Sequence, residues 1–127
     1  MSRLFILALL LSAVPAAAES GMGSWYGPGY YGHRTACGKT LTSASIWAAH
    51  KTLPCGTSIR VTNSKTGAAV IVQVQDRGPY VRGWIVDLTP AAARAIGMRN
   101  TIPVTIEVMT PAATTTDRLG SLITELP

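Results

Sequence analysis

The chain lacks the sequence features that mark zinc proteins and nucleic-acid-binding proteins. It has two cysteines and two histidines, and none of them stands in CxxC or HxxxH spacing, so the sequence gives little support to a zinc site. Its 11 Lys and Arg outnumber 6 Asp and Glu but form no run, so nucleic acid is not the expected partner. We therefore expect no metal and no other cofactor.

The one long apolar run lies at the N-terminus, where Arg3 precedes Leu4–Val14 and Ala16-Ala17-Ala18 follows. This pattern predicts a secretory signal peptide over residues 1–18. The run is too short and wrongly flanked for a membrane-spanning helix, and no cysteine stands at the cleavage site for a lipid anchor. We expect an exported protein, periplasmic or secreted, with no transmembrane segment in the mature chain.

The mature chain, residues 19–127, is long enough for one domain with a modest core. It keeps an excess of positive charge, which serves solubility or attracts an acidic polymer outside the cytoplasm, and an anionic cell wall is the favoured polymer. The predicted domain covers residues 19–109. A polar tail follows over residues 110–127.

Cys37 and Cys55 both lie in the exported part of the chain. An even count in an oxidising compartment favours one disulfide, and only one pairing is possible. A metal site that adds His33 and His50 is the weaker alternative.

Short β-type runs separated by turn residues predict an all-β fold that closes, or nearly closes, into a barrel. The runs are Gly21–Gly27, Ile46–His50, Ser58–Thr62, Ala68–Gln75, Trp84–Val86 and Ile102–Met109. One short helix is predicted between Thr89 as N-cap and Gly97 as the stop, with Pro90 at its first position.

Asp76 comes where the fourth run meets Arg77-Gly78-Pro79, three residues that favour a turn. A carboxylate at the end of a strand is held rigidly while it faces an open loop. Asp76 is therefore the first candidate for a catalytic acid. Its structural alternative is a turn aspartate that pairs with Arg77.

Six motifs in order resemble the rare lipoprotein A (RlpA-like) group of double-psi β-barrel proteins, over about Gly21 to Val108. They are Gly23-Ser24-Trp25-Tyr26-Gly27, Ala48-Ala49-His50-Lys51-Thr52-Leu53-Pro54, Gly56-Thr57, Val61-Thr62-Asn63, Asp76-Arg77-Gly78-Pro79-Tyr80 and Asp87-Leu88-Thr89. The resemblance implies a six-stranded double-psi β-barrel. It also implies an endolytic lytic transglycosylase that cleaves peptidoglycan glycan strands to 1,6-anhydromuramyl ends.

The resemblance implies His50 and Asp76 as catalytic residues. His50 would orient Asp76 or bind a sugar hydroxyl, and its structural alternative is a hydrogen-bonded histidine at the end of a short strand. The family's third site residue is a glutamate, and Lys39 stands in its place. Cys37 and Cys55 also depart from the family pattern, and the two changes agree if they form a disulfide. A lytic transglycosylase can work with one carboxylic acid, because the attacking hydroxyl belongs to the substrate, whereas an ordinary glycosidase needs two carboxylates.

Asp87 is the second candidate acid, since in expansin-like relatives a comparable Asp lies in the glycan groove. Its structural alternative is an acid favoured near a helix N-terminus. Other side chains are expected to bind substrate through aromatic faces or positive charge. These are Trp25, Tyr26, Tyr80, Arg77 and Lys39.

Two other functions stay open. Lys39 favours a non-catalytic, expansin-like module that binds or loosens the wall. A secreted domain that binds a protein through Tyr30 and Tyr31 is the third reading. We expect a monomer. The family's C-terminal glycan-binding repeat domain does not follow the barrel in this sequence, so septal targeting by that route is not expected.

Overall fold

A computed structural model describes residues 18–27 and 29–110. Residues 1–17 of the predicted signal peptide and residues 111–127 of the predicted tail lie outside the described residues. Its elements are β1 (Ala18–Trp25), β2 (Trp47–Ala49), β3 (Ser58–Asn63), β4 (Ala69–Asp76), β5 (Trp84–Leu88), α1 (Pro90–Ala95) and β6 (Ile102–Val108). No helix in these ranges has the length and apolarity that a membrane span requires.

The six strands close into a barrel in the order β1-β5-β2-β4-β3-β6. Two pairs are parallel, β1 with β5 and β2 with β4, and the other four are antiparallel. The all-β barrel with one short helix that the sequence predicts is confirmed. The parallel pairings place the C-terminal end of β1 beside β5 and the C-terminal end of β4 beside β2. The polar residues described below lie at these strand ends.

The core consists of alternate residues along the strands, those whose side chains point into the barrel. In β3, Ile59 and Val61 are fully buried while Arg60 is exposed, and in β4 Val72 and Val74 are buried on either side of exposed Gln73. This period of two is the pattern of a strand with one face in the core. β6 adds Val104 and Ile106 to the same cluster.

Helix α1 begins where the sequence predicts. The side chain of Thr89 accepts the N–H of Ala92 as N-cap, and Pro90 occupies the first turn. The Thr89 hydroxyl also accepts the N–H of Trp47 at 3.3 Å. One buried hydroxyl thus fixes both the helix start and the position of β2.

Strand β1 begins three residues earlier than the sequence predicts. Ala18, Glu19 and Ser20 pair with Glu107, Ile106 and Thr105 of β6. This pairing is long-range, so the local pattern of these polar residues does not reveal it. The consequence is that Glu19 is held on the sheet, where it meets His50.

Gly23 is a glycine because another strand lies too close for a side chain. A Cβ built on Gly23 would lie 2.9 Å from both methyl carbons of Val104. By contrast, a Cβ on Gly27 would meet nothing within 4 Å.

Gly23→Ala should therefore destabilise the domain by about 1–3 kcal/mol, the usual cost of overpacking a core. Gly27→Ala is the matched control and should leave the free energy of unfolding nearly unchanged. Urea unfolding followed by circular dichroism measures both. Equal stability of the two variants would contradict this packing.

Candidate functional site

The carboxylate of Asp76 accepts hydrogen bonds from three parts of the chain. The Tyr26 hydroxyl donates to Oδ2, and Oδ1 accepts the N–H of Ala36 at 2.9 Å and that of Arg77 at 2.8 Å. Asp76 is the last residue of β4, as the sequence predicts. All three partners are donors, so the Asp76 side chain acts as an acceptor through both oxygens.

Tyr26 follows the end of β1, where its own N–H donates to the carbonyl of Leu88 at 2.9 Å. Burial raises the pKa of Tyr26 far above its usual value, and the hydrogen bond and negative charge of Asp76 raise it further. Tyr26 is therefore protonated at any physiological pH, and it serves as a permanent donor to Asp76.

Asp87 lies in β5 opposite Ser24 of β1, and the Ser24 hydroxyl donates to its Oδ1 at 2.6 Å. Burial raises the pKa of Asp87 above its ordinary value, and the charge of Asp76 adds to this. The hydrogen bond from Ser24 acts in the opposite direction without cancelling the rise. The site thus holds two partly buried carboxyl groups in unlike surroundings, one that accepts three hydrogen bonds and one that accepts a bond from Ser24.

A cavity of about 190 Å³ opens beside Asp76. Its walls are the aromatic rings of Tyr26, Tyr30 and Trp47 together with the segment from His33 to Thr35. Tyr26 packs edge-on against Trp47 and Tyr30, with ring centroids 5.5 and 5.8 Å apart. Flat rings around one carboxylate are suited to a sugar, whose apolar faces stack while its hydroxyls bond to the acid.

Lys39 lies at a second cavity, of about 360 Å³, which shares Trp47 with the first. Gln73 and Gln75 also line it, and the Gln75 amide donates to Gln73 at 3.1 Å. The exposed Lys39 has no acid among these neighbours. The lysine that replaces the family glutamate thus faces the second cavity, which adjoins that of Asp76.

His50 is 6% exposed, and its ring nitrogens form hydrogen bonds with groups other than the Asp76 carboxylate. Nε2 lies 2.9 Å from Oε2 of Glu19, and Nδ1 accepts the N–H groups of Thr52 and Leu53. The Arg77 guanidinium bonds to the carbonyls of His50 and Leu53 at 3.3 and 2.7 Å. His50 and Arg77 therefore meet around one turn directly behind Asp76.

Cys37 and Cys55 form a disulfide with a Cα–Cα distance of 5.9 Å, so this prediction is confirmed. Cys37 adjoins Ala36, which donates to Asp76, and Cys55 lies next to the turn that Arg77 holds. The bond therefore ties together two of the segments that contact Asp76. In the described ranges, no group of three or more His, Cys, Asp or Glu side chains is close enough to hold a metal.

Of the predicted binding residues, Tyr26 lines the Asp76 cavity, whereas five lie outside it: Asp87, Trp25, Tyr80, Arg77 and Lys39. Trp25 alternates with Ser24 and Tyr26 along β1 and lines a separate cavity with Ala93, Arg94 and other residues near α1. Tyr80 is 78% exposed in the loop after Asp76.

Sequence reasoning did not identify Ser24, Trp47 or Arg34 as site residues. The register that places Ser24 opposite Asp87 is a parallel pairing between distant strands. Trp47 had no distinguishing signal beyond its place in a short apolar run. Arg34 lies in a loop without periodicity.

Comparison with known proteins identifies the family to which the barrel belongs. The family model described as "Lytic transglycolase", a double-psi β-barrel model, matches residues 18–108. A protein of Synechocystis named probable endolytic peptidoglycan transglycosylase RlpA is 48% identical over 82 residues, which cover 65% of this chain and 26% of that protein. The Vibrio cholerae endolytic peptidoglycan transglycosylase RlpA is 47% identical over 94 residues, covering 72% of this chain and 36% of that protein.

Among solved structures, the apo expansin of Clavibacter michiganensis is 26% identical, with a TM-score of 0.58, and the match covers 76% of this chain and 52% of the expansin. A Streptomyces papain inhibitor shares the fold at 23% identity and a TM-score of 0.59, over 75% of this chain and 96% of the inhibitor. The chain spans about a quarter to two fifths of the length of the curated relatives it matches. On the family match over its barrel, the chain belongs to the double-psi β-barrel lytic transglycolase family.

Proposed function

We propose that this protein is an exported lytic transglycosylase that cleaves the bond between N-acetylmuramic acid and N-acetylglucosamine in peptidoglycan. The observation that carries the proposal is the pair of carboxyl groups at one end of the barrel, in unlike surroundings. Asp87 is partly buried and its pKa is raised, whereas Asp76 accepts three hydrogen bonds. A carboxyl group with a raised pKa beside a second carboxylate is a common arrangement for acid–base chemistry on a glycosidic bond. Family membership and the names of the curated relatives support the same reaction class.

In this reaction Asp87 donates its proton to the oxygen that links the two sugars. The bond from that oxygen to the muramyl anomeric carbon breaks, and its electron pair stays on the leaving oxygen. The muramyl 6-hydroxyl then bonds to the anomeric carbon and gives its proton to the Asp87 carboxylate. The products are a 1,6-anhydromuramyl end and a free 4-hydroxyl, and Asp87 is again protonated. No water is consumed, so the reaction needs no second carboxylate to activate one.

Asp76 supplies fixed negative charge beside the positively charged, oxocarbenium-like sugar of the transition state. Its charge also helps to keep the proton on Asp87. Tyr26 and the backbone N–H groups of Ala36 and Arg77 orient its carboxylate. The sequence favours Asp76 itself as the acid, and that assignment stays a prediction, which the variants below separate from the role of Asp87.

The second cavity extends the proposed glycan site past Trp47. Lys39 there carries positive charge beside two amide side chains that can bond to sugar hydroxyls. Peptidoglycan carries carboxylates on its muramyl lactyl groups and stem peptides. We assign Lys39 to contact with these anionic groups.

A second candidate function is a wall-binding module of the expansin kind. The specific observation for it is the similarity to Clavibacter expansin, which has also been solved in complex with cellohexaose. Expansin-like binding requires the groove but no proton transfer. The two functions therefore differ in the products they leave.

Digestion of purified glycan strands, with mass spectrometry of the products, separates these functions. We expect 1,6-anhydromuramyl ends from the wild type. Asp87→Asn should lower the turnover rate by about 100- to 10,000-fold, the usual contribution of a general acid. If the wild type retains peptidoglycan in a pull-down yet leaves no anhydro ends, the binding module is the correct function.

Asp76→Asn tests which carboxyl group is the proton donor. If Asp87 is the donor, this variant should shift the alkaline limb of the kcat profile to lower pH, because losing the charge of Asp76 lowers the pKa of Asp87. If Asp76 is the donor, this variant should instead lose nearly all activity, and the alkaline limb of the residual kcat profile should not shift.

Asp87→Asn should also change how stability depends on pH, whether or not the protein is an enzyme. The pKa of Asp87 is raised in the folded state, so its contribution to stability is complete below the unfolded value of 3.8 and is lost as pH rises through the folded value. Asparagine does not ionise. The free energy of unfolding of Asp87→Asn minus that of the wild type should therefore be more positive at neutral pH than at acidic pH. Urea unfolding at both pH values measures this difference. An equal difference at both pH values would contradict the raised pKa.

Lys39→Glu should raise KM for peptide-bearing glycan by about two- to fivefold, the usual range for an exposed ion pair, and leave kcat nearly unchanged. Added salt should reduce the difference, since it screens exposed charges. Lys65→Glu is the matched control, because Lys65 is exposed in the β3–β4 turn. An equal effect of both variants would show that only net charge matters.

A further inference from the structure

The imidazole of His50 has both nitrogens engaged by protein groups. Nδ1 accepts the N–H groups of Thr52 at 3.2 Å and Leu53 at 3.1 Å, so it must present a lone pair. The ring proton therefore lies on Nε2, which donates to Oε2 of Glu19 at 2.9 Å. Neither nitrogen is left to exchange a proton with a sugar.

The turn that His50 holds is the anchor for the side chain of Arg77. Nη1 of Arg77 bonds to the carbonyls of His50 and Leu53, the two ends of this turn. Without the two bonds to Nδ1, the N–H groups of Thr52 and Leu53 lose their acceptor, and the turn can leave the geometry that Arg77 requires. The imidazole and the guanidinium thus act on opposite sides of one backbone segment.

Arg77 in turn fixes Asp76. Its backbone N–H donates to Oδ1 of Asp76, and the N–H of His50 donates to the Asp76 carbonyl at 3.1 Å. Holding the Arg77 side chain limits rotation of the peptide that supplies this N–H. A chain of contacts therefore runs from the His50 ring through the turn to the Asp76 carboxylate.

We propose that His50 is a positioning residue, which orients Asp76 through the 50–53 turn and Arg77 and transfers no proton. This inference rests on the proposed function for its kinetic consequences, although its structural content does not depend on it. It replaces a catalytic role for His50 with a role in backbone geometry. The part of the ring that matters is the acceptor at Nδ1.

Asparagine and glutamine at position 50 separate the two roles. The Oδ1 atom of asparagine lies close to where Nδ1 lies in histidine and accepts the same N–H groups, whereas glutamine reaches the position of Nε2. We expect His50→Asn to keep kcat within about threefold and His50→Gln to lose about ten- to a hundredfold, in line with the loss of two part-buried backbone hydrogen bonds. The loss of the Glu19 contact should matter little, since the Glu19 side chain is 47% exposed. If both variants lose activity equally while circular dichroism shows them folded, the ring has a direct chemical role and the proposal is wrong.

A double-mutant cycle with Arg77→Met tests the connection. If His50 acts through Arg77, the double variant His50→Gln/Arg77→Met should lose no more activity than the worse single variant. Multiplied losses would show independent roles and overturn the proposal.

Nitrogen-15 NMR of labelled imidazoles gives a readout that does not require activity. We expect His50 to show the Nε2-protonated tautomer, and we expect this signal to stay unchanged when peptide-free glycan strands are added. The signal of exposed His33, which lines the Asp76 cavity, serves as the comparison for a ring at the proposed glycan site. His50→Gln, but not His50→Asn, should shift the amide signal of Arg77 and the carboxyl signal of Asp76. If these shifts occur but no anhydro ends form, the proposed function fails and the positioning role stands. If the His50 signal changes protonation on glycan binding, the positioning role fails.

Discussion

The carboxylate of Asp76 is the point on which the site depends, because three separate segments donate to it. Tyr26 comes from the end of β1, Ala36 from the loop between β1 and β2, and Arg77 from the turn after β4. Each donor would be unpaired, or would have to turn to water, if Asp76 moved. The disulfide restrains the loop that contains Ala36, and the 50–53 turn holds the side chain of Arg77. One acceptor thus orders loops that would otherwise be independent.

Most of the fold could be predicted from local patterns in the sequence. The alternation of Ile59 and Val61 with polar neighbours places β3, and Thr89-Pro90 places the helix start. Gly67 has a φ of +79° in the β3–β4 connection, as expected for a left-handed turn residue. The early start of β1 could not be predicted, because Ala18–Ser20 become a strand only by pairing with β6. The strand order and the two parallel pairings could not be predicted from local pattern either, and the family resemblance implied only a six-stranded double-psi barrel.

The site was predicted less completely than the fold. The sequence shows a carboxylate at the end of a predicted strand, and this is the reason for choosing Asp76 as the first candidate acid. The burial that raises the pKa of Asp87 is not visible, because it arises from barrel closure around Ser24 and β5. Trp25 ends β1 and Tyr26 follows it, and the alternation of side chains along the extended chain places these neighbouring aromatics in different cavities. Lys39 could be recognised as a departure from the family pattern, but only the structure places it at a second cavity.

The central claim is that burial and the charge of Asp76 raise the pKa of Asp87 at one end of the barrel. Carbon-13 NMR titration of the Asp87 carboxyl group, in the wild type and in Asp76→Asn, measures this directly. The account predicts that the pKa of Asp87 lies above its ordinary value of 3.8 in the wild type and falls when the charge of Asp76 is removed. A pKa of Asp87 at or below 3.8, or one that Asp76→Asn leaves unchanged, would contradict it.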